Sequence, residues 1–171
     1  VPGGGGVTGG SIDPKCKGMK ESDALVESAV ECANAFERCG MRDIVVAIKA
    51  SDVRTMVEAN RKLAAACDYP LHLGVTEAGT LRSGLVKSAL GIGALLNEGI
   101  GDTVRISLSA PPVEEVLAGK TLLRSLGLKN DCVEVVSCPT CARTEIDVAK
   151  LADAVARATA PVRLPTQIAG R

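Results

Sequence analysis

The sequence predicts an α/β protein built as part of a TIM (β/α)8 barrel, and three observations support this fold class. Segments with the apolar period of strands alternate with segments that have the period of helices, which indicates parallel strands joined by right-handed crossovers. The strands are apolar on one face and small or polar on the other, as strands near a barrel mouth are. Three βα units within 171 residues are too few for a complete barrel, which needs roughly 250 residues.

The elements follow one another along the chain with recognisable ends. Residues 1–20 are rich in glycine and have no periodicity, so we expect an irregular start. Residues 22–39 carry apolar side chains at helical spacing, and Gly40 ends this helix. Ser51 or Asp52 is expected to cap the next helix. Strands are predicted at residues 44–49, 71–76, 103–108 and 132–137, and their helices at residues 51–67, 83–98, 112–126 and 145–158.

Alternation along the first three strands separates two faces. The apolar face should meet the helices, and the polar face should line the barrel interior near the mouth. The polar face carries, in successive strands, Lys49, then His72, Gly74 and Thr76, then Arg105 and Ser107. The sequence therefore predicts a cluster of polar side chains at the carboxyl ends of the strands.

Composition excludes several classes of function. Twenty basic residues balance twenty acidic ones, which argues against a general nucleic-acid binder. An aromatic content of 1% leaves almost no side chains for stacking on bases. No apolar stretch is long enough for a membrane span, and the first residues do not form a signal peptide. Seven cysteines, an odd number scattered mostly as single packing residues, indicate a reducing compartment.

Five residues on or after the polar face are candidates for a site. Lys49, Arg105 and Ser107 suit a phosphate or diphosphate, although Lys49 could simply cap a strand and Arg105 could pair with Glu77. Glu77 follows its strand at a position where barrel enzymes hold an acid or base, and an ion-pair role is equally compatible with the pattern. His72 is the only histidine, and we expect a hydrogen-bonded interior residue there rather than a catalyst.

The Cys-x-x-Cys motif of Cys138 and Cys141 follows the fourth strand and allows three interpretations. A thioredoxin-type dithiol would lie near the start of a βαβ fold, whereas this pair follows three βα units. A zinc site needs four ligands, and no second such motif or histidine pair exists here. An iron–sulfur cluster uses thiolates at this spacing, with its remaining ligands elsewhere.

Several segments together resemble the family of 4-hydroxy-3-methylbut-2-enyl diphosphate synthases, which act on the methylerythritol phosphate route to isoprenoids. They are residues 46–52 (VAIKASD), 70–79 (PLHLGVTEAG), 82–84 (RSG), 91–93 (GIG), 98–108 (EGIGDTVRISL), 112–116 (PVEEV) and 137–141 (SCPTC). The resemblance extends over residues 22–148. It implies the last three units of a TIM barrel at residues 21–128 and the beginning of an α/β iron–sulfur domain at residues 129–171.

The resemblance also implies an activity and its partners. The family reductively opens the ring of 2-C-methyl-erythritol 2,4-cyclodiphosphate, with two electrons that pass through a [4Fe-4S] cluster and with loss of water. The electron donor is a flavodoxin or a ferredoxin, and the enzyme is a homodimer in which the cluster domain of one subunit closes over the barrel of the other. A bacterial cytoplasm, or alternatively a plastid stroma, is the expected location.

Residue roles follow from the resemblance by motif. Lys49, Arg105 and Ser107 match diphosphate-binding positions, Glu77 matches an acidic residue at the reacting centre, and Cys138 and Cys141 match two of the cluster ligands. The family's third cysteine and its glutamate ligand have no counterpart before Arg171, so we expect this polypeptide alone to be inactive and to bind no stable cluster. The alternative function is a non-catalytic anion-binding α/β module whose cysteines hold structural zinc.

Overall fold

The computed structural model describes residues 3–138, 144–162 and 166–170, and the chain divides into two compact units. The first unit is Val1–Leu126 and the second is Gly127–Arg171. None of the helices in the described ranges combines the length and the apolar character needed to span a bilayer.

The first unit alternates strands and helices along its whole length. Its elements are β1 (Gly3–Thr8), α1 (Glu21–Arg38), β2 (Ile44–Ala50), α2 (Val53–Ala66), β3 (His72–Val75), α3 (Leu81–Asn97), β4 (Thr103–Val104) and α4 (Pro112–Ser125). Two short 3-10 turns, Gly9–Ser11 and Pro14–Cys16, connect β1 to α1. The four strands form one parallel sheet in the order β1-β2-β3-β4.

The second unit contains β5 (Val133–Ser137), α5 (Val148–Thr159) and β6 (Thr166–Gly170). The two strands are parallel, and Ser137 pairs with Gly170 at the end of their register. The side chain of Asp147 caps α5 by accepting a hydrogen bond from the backbone N–H of Lys150 at 3.0 Å. This unit is thus a single βαβ crossover.

One face of the four-stranded sheet carries the core of the first unit. Along β2 the side chains alternate between buried and half-buried, and Ile48 on the buried face is fully enclosed. Leu73 and Val75 of β3 continue this apolar face. Helices cover it with the buried residues Leu25, Ala29, Met56, Leu63, Ile92 and Leu95. An open doubly wound sheet would be covered on both faces, so coverage of one face agrees with the predicted barrel segment.

The predicted helices are confirmed to within about two residues at most ends, as expected for boundaries that fray. The sequence left open whether Ser51 or Asp52 caps α2. The cap is Asp52, whose carboxylate accepts a hydrogen bond from the backbone N–H of Thr55 at 2.8 Å. Residues 112–125 confirm a helix that begins with proline at its first position.

Two sequence predictions differ from the structure. The irregular start predicted for residues 1–20 is wrong for Gly3–Thr8, which pairs along its whole length with β2. A Cβ on Gly5 would lie 3.1 Å from Phe36 and 3.3 Å from Cys32, so this glycine lets α1 pack closely on the strand. The strand predicted for residues 103–108 is limited to Thr103–Val104, and farther along the Leu108 N–H donates to the Glu115 carboxylate at 2.8 Å.

Candidate functional site

Lys49 is the last residue of β2 whose side chain is on the half-buried face of the sheet, opposite the helices. In the parallel register it pairs with Thr8 of β1 on one side and with Gly74 of β3 on the other. Burial, and then the positive charge of Arg105, hold the pKa of Lys49 below its ordinary value. Lys49 and Arg105 therefore influence each other electrostatically.

Arg105 directly follows β4 and continues its pairing with β3, since its backbone N–H donates to the Leu73 carbonyl at 2.8 Å. The position that a Cβ on Gly74 would take lies 3.4 Å from Cε of Lys49 and 3.7 Å from Cβ of Arg105. Both cationic side chains thus border the same point on the sheet. Arg105 is exposed, so its guanidinium is accessible to an anion.

Ser107 lies two residues after Arg105 and is half-buried. Ile106 between them is buried and faces α4, since a Cβ on Gly119 would lie 3.6 Å from its Cγ1. Arg105 borders the polar face beside Gly74, and Ser107 follows it two residues later. The structure thus brings Lys49 and Arg105 together, with Ser107 one step farther along the segment of Arg105.

Glu77 is exposed in the loop after β3 and has a φ of 51°, the only positive φ of a non-glycine residue in the described part of the chain. Its loop is fixed at both sides: the Thr76 N–H donates to the Ala50 carbonyl at 3.1 Å, and the Ser109 N–H donates to the Gly79 carbonyl at 2.9 Å. Left-handed backbone is unfavourable for glutamate and concentrates at functional sites. No ion pair joins Glu77 to Arg105, although both residues are described, so that alternative is not supported.

His72 lies on the same face, two residues before Gly74. Its Nδ1 is 2.8 Å from the hydroxyl of Thr103, the residue opposite it in the register of β3 and β4. Burial, followed by the charges of Lys49 and Arg105, keeps the pKa of His72 below its ordinary value. His72 is a hydrogen-bonded residue, in agreement with the prediction, and it is neutral at physiological pH.

The sequence placed Gly74 on the polar face without indicating a role for it, and it did not indicate that Thr8 and Thr103 lie beside the candidate site residues. The signal for these residues is the strand register, which pairs Thr8 with Lys49 and Thr103 with His72. Register follows from three-dimensional pairing, so the spacing of one strand cannot supply it.

Cys138 directly follows β5 and is exposed, whereas Cys141 lies outside the described residues. Within the described ranges, no group of three or more histidine, cysteine, aspartate or glutamate side chains is arranged to hold a metal ion. The described residues therefore do not by themselves form the ligand set of a zinc ion or an iron–sulfur cluster.

Comparison with known proteins identifies relatives across almost the whole chain. The family model of the GcpE TIM-barrel domain matches residues 5–120. The 4-hydroxy-3-methylbut-2-en-1-yl diphosphate synthase (flavodoxin) of Salinispora arenicola is 52% identical over 167 residues, which are 96% of this chain and 43% of that protein. The enzyme of the same name from Caldanaerobacter subterraneus is 49% identical over 96% of this chain and 47% of its own length.

The second synthase of this name from Streptomyces avermitilis is 51% identical, again over 96% of this chain and 43% of its own length. The chain thus spans less than half the length of these relatives. The matched residues 5–120 run from within β1 to within α4 and include the face that carries Lys49 and Arg105. The partial TIM barrel predicted from the sequence is therefore confirmed, and the chain belongs to the GcpE family.

Proposed function

We propose that this chain is part of a 4-hydroxy-3-methylbut-2-en-1-yl diphosphate synthase and contributes the diphosphate-binding side of its barrel. The observation that carries the proposal is the approach of Lys49 and Arg105 to one point on the polar face. Two cations that repel each other in the unliganded protein favour a ligand with at least two negative charges. The names of the relatives supply the diphosphate compound and the reaction.

In this proposal Lys49 and Arg105 bind the diphosphate of 2-C-methyl-erythritol 2,4-cyclodiphosphate. Arg105 supplies a planar donor that can bind two phosphate oxygens at once, and Lys49 supplies a compact charge. The hydroxyl of Ser107 donates a further hydrogen bond. When the ring opens, the diphosphate gains negative charge as its bond to carbon breaks, and these donors stabilise that charge.

Glu77 is proposed as the acid or base at the reacting centre. Its loop is held by backbone hydrogen bonds to the end of β2 and to the segment that follows Arg105, so the backbone from which its side chain extends has a defined position relative to both. Loss of water requires a proton on the departing hydroxyl group, and a carboxyl at this position could deliver it.

The reduction requires two electrons, for which the proposal names a flavodoxin as the donor, because the relatives carry flavodoxin in their names. Cys138 and Cys141 are proposed to provide two thiolate ligands of a [4Fe-4S] cluster in the whole protein, with the remaining ligands outside this chain. The supporting observation is that Cys138 is exposed at the end of β5. The homodimer, the domain limits at residues 21–128 and 129–171, and the bacterial cytoplasm remain predictions.

Binding of inorganic diphosphate, measured by titration calorimetry, tests the central claim. We expect Lys49→Met and Arg105→Met each to weaken binding by about ten- to a hundredfold, the value of a charge-assisted hydrogen bond. Lys87→Met removes an exposed lysine of α3 and is the matched control. Equal affinities of the wild-type chain and Lys49→Met would contradict the proposed site.

Metal analysis of the whole protein, purified without oxygen, separates the two functions considered for the cysteines. Iron together with inorganic sulfide supports the synthase, and the Cys138→Ala variant should retain less of both. Zinc without sulfide would instead favour the anion-binding module with a structural metal.

A further inference from the structure

Gly74 lies at the centre of the face that carries the candidate site. It pairs with Lys49 in the register of β2 and β3, and the neighbouring Leu73 carbonyl accepts the hydrogen bond of Arg105 N–H at 2.8 Å. A Cβ on Gly74 would lie 2.9 Å from the carbonyl oxygen of Arg105 and 3.4 Å from Cε of Lys49. The space that a side chain would occupy is therefore bounded by the two cationic residues.

The backbone conformation does not explain a glycine here. Gly74 is buried in the middle of β3 and is not one of the glycines with positive φ. Glycine in a strand interior weakens the strand and often marks the close approach of another group. The groups that approach Gly74 are Lys49 and Arg105.

We propose that Gly74 is a positioning residue for the diphosphate site, because the absence of its side chain lets Lys49 and the Arg105 segment approach one another. This inference rests on the proposed function of that pair. A methyl group at position 74 meets a backbone oxygen of Arg105, and a backbone cannot move aside as the end of a flexible side chain can. The Arg105 segment would shift away from β3, and its guanidinium would shift with it.

The variant Gly74→Ala tests the proposal, with Gly6→Ala as its matched control. Gly6 faces the same side of the sheet on β1, where a Cβ would have Ala47 Cβ as its nearest neighbour at 3.7 Å. We expect Gly74→Ala to bind inorganic diphosphate about tenfold more weakly than the wild-type chain, the loss of roughly one charge-assisted hydrogen bond. Gly6→Ala should bind within about twofold, since it disturbs neither cation.

His72 provides a second measurement that a purely structural role would leave unchanged. It is the only histidine in the chain, so its imidazole signals in an NMR titration are unambiguous. Burial lowers the pKa of His72 most, and the charges of Lys49 and Arg105 lower it further. Displacement of these charges in Gly74→Ala should raise the pKa of His72, while Gly6→Ala should leave it at the wild-type value.

Two further variants keep Gly74 and test directly whether Lys49 and Arg105 lie close to His72. Lys49→Met and Arg105→Met should each raise the pKa of His72, because each removes a positive charge that opposes its protonation. If neither variant moves this pKa, the three side chains do not converge around Gly74, and the inference is wrong even where Gly74→Ala does not fold.

The outcomes separate this inference from the proposed function. If Lys49→Met binds diphosphate as tightly as the wild-type chain, the proposed site fails and Gly74 has nothing to position. If Lys49→Met weakens binding but Gly74→Ala does not, the inference about Gly74 alone fails. If the Gly74→Ala chain lacks the wild-type circular dichroism spectrum, the His72 titrations of Lys49→Met and Arg105→Met decide: a raised pKa of His72 supports the inference, and an unchanged pKa contradicts it.

Discussion

The two faces of the four-stranded sheet differ in what they contain, although their residues alternate along the same strands. Ile48 and Leu73 on the helix-covered face have no exposed surface, whereas their chain neighbours Lys49 and Gly74 face the other side. On that side the side chains are charged or small, and Arg105 is open to solvent. Adjacent residues thus differ in environment: one face packs against the helices and stabilises the fold, and the other carries the proposed anion site.

The largest expected effect is a loss of stability that differs between the two faces of β2. Ile48→Ala should lower the free energy of unfolding by about 3 kcal/mol, because it removes a fully buried side chain and leaves a cavity. Val45→Ala, on the half-buried face of the same strand, should cost less than about 1 kcal/mol. Urea unfolding followed by circular dichroism measures both values. Equal losses would show that the two faces do not differ in their contribution to stability.

A smaller effect is expected at a polar residue within the apolar face. The fully buried Asn60 donates from Nδ2 to the carbonyls of Met56 at 2.8 Å and Ile48 at 3.2 Å, which ties α2 to β2. Asn60→Ala should cost about 2 kcal/mol in the same urea experiment. Asn97→Ala, at the exposed end of α3, should change stability by less than about 0.5 kcal/mol. If Asn60→Ala lost no more stability than Asn97→Ala, the Asn60 amide would have no structural role.

On the binding face, removal of a charge should not destabilise the protein. The pKa of Lys49 is lower in the folded state than the ordinary 10.5, so its charged form opposes folding. Lys49→Met should therefore unfold at a slightly higher urea concentration than the wild-type chain at neutral pH, and solvent screening of this half-buried group keeps the difference small. In the wild-type chain, stability should rise as the pH increases towards 10.5, because Lys49 loses its proton first in the folded state. Urea unfolding at neutral and alkaline pH tests this, and a destabilised Lys49→Met at neutral pH would contradict it.

The smallest effect is expected at the exposed ion-pair network of α1 and α2. Glu58 accepts hydrogen bonds from Lys20 at 2.6 Å and Ser22 at 3.1 Å and pairs with Lys62 at 2.8 Å. The hydrogen bond from Lys20 is the main cause of the low pKa of Glu58, which falls from 4.5 to about 2. This contribution to stability is complete above pH 4.5 and is lost as the pH falls through about 2.

Glu58→Gln should therefore melt slightly below the wild-type chain at neutral pH, and the difference should disappear at about pH 2. High salt should also reduce it, because exposed charges are screened. Thermal melts across this pH range make the comparison. A difference that persists in strong acid would have another cause.

The sequence predicted correctly those strands whose side chains alternate between apolar and polar, and it missed the strand whose residues lack such side chains. The alternation of Ile44, Val46 and Ile48 was predictable because a strand with one covered face needs an apolar residue at every second position. β1 was missed because glycines have no side chain to show a period, and the strand forms through its backbone pairing with β2. The cluster of polar side chains was predicted from the alternation, but the role proposed for Gly74 depends on its register with Lys49, which the sequence of one strand does not show.

The left-handed backbone of Glu77 has a consequence for attempts to stabilise this protein. Glycine adopts this conformation freely, whereas other residues lose roughly 1 kcal/mol or more there. A selection for heat resistance alone would therefore favour Glu77→Gly and discard the one carboxyl that the loop presents. Libraries screened for expression or melting temperature should hold this position fixed, because improvement by those criteria would conceal the loss of the proposed acid or base.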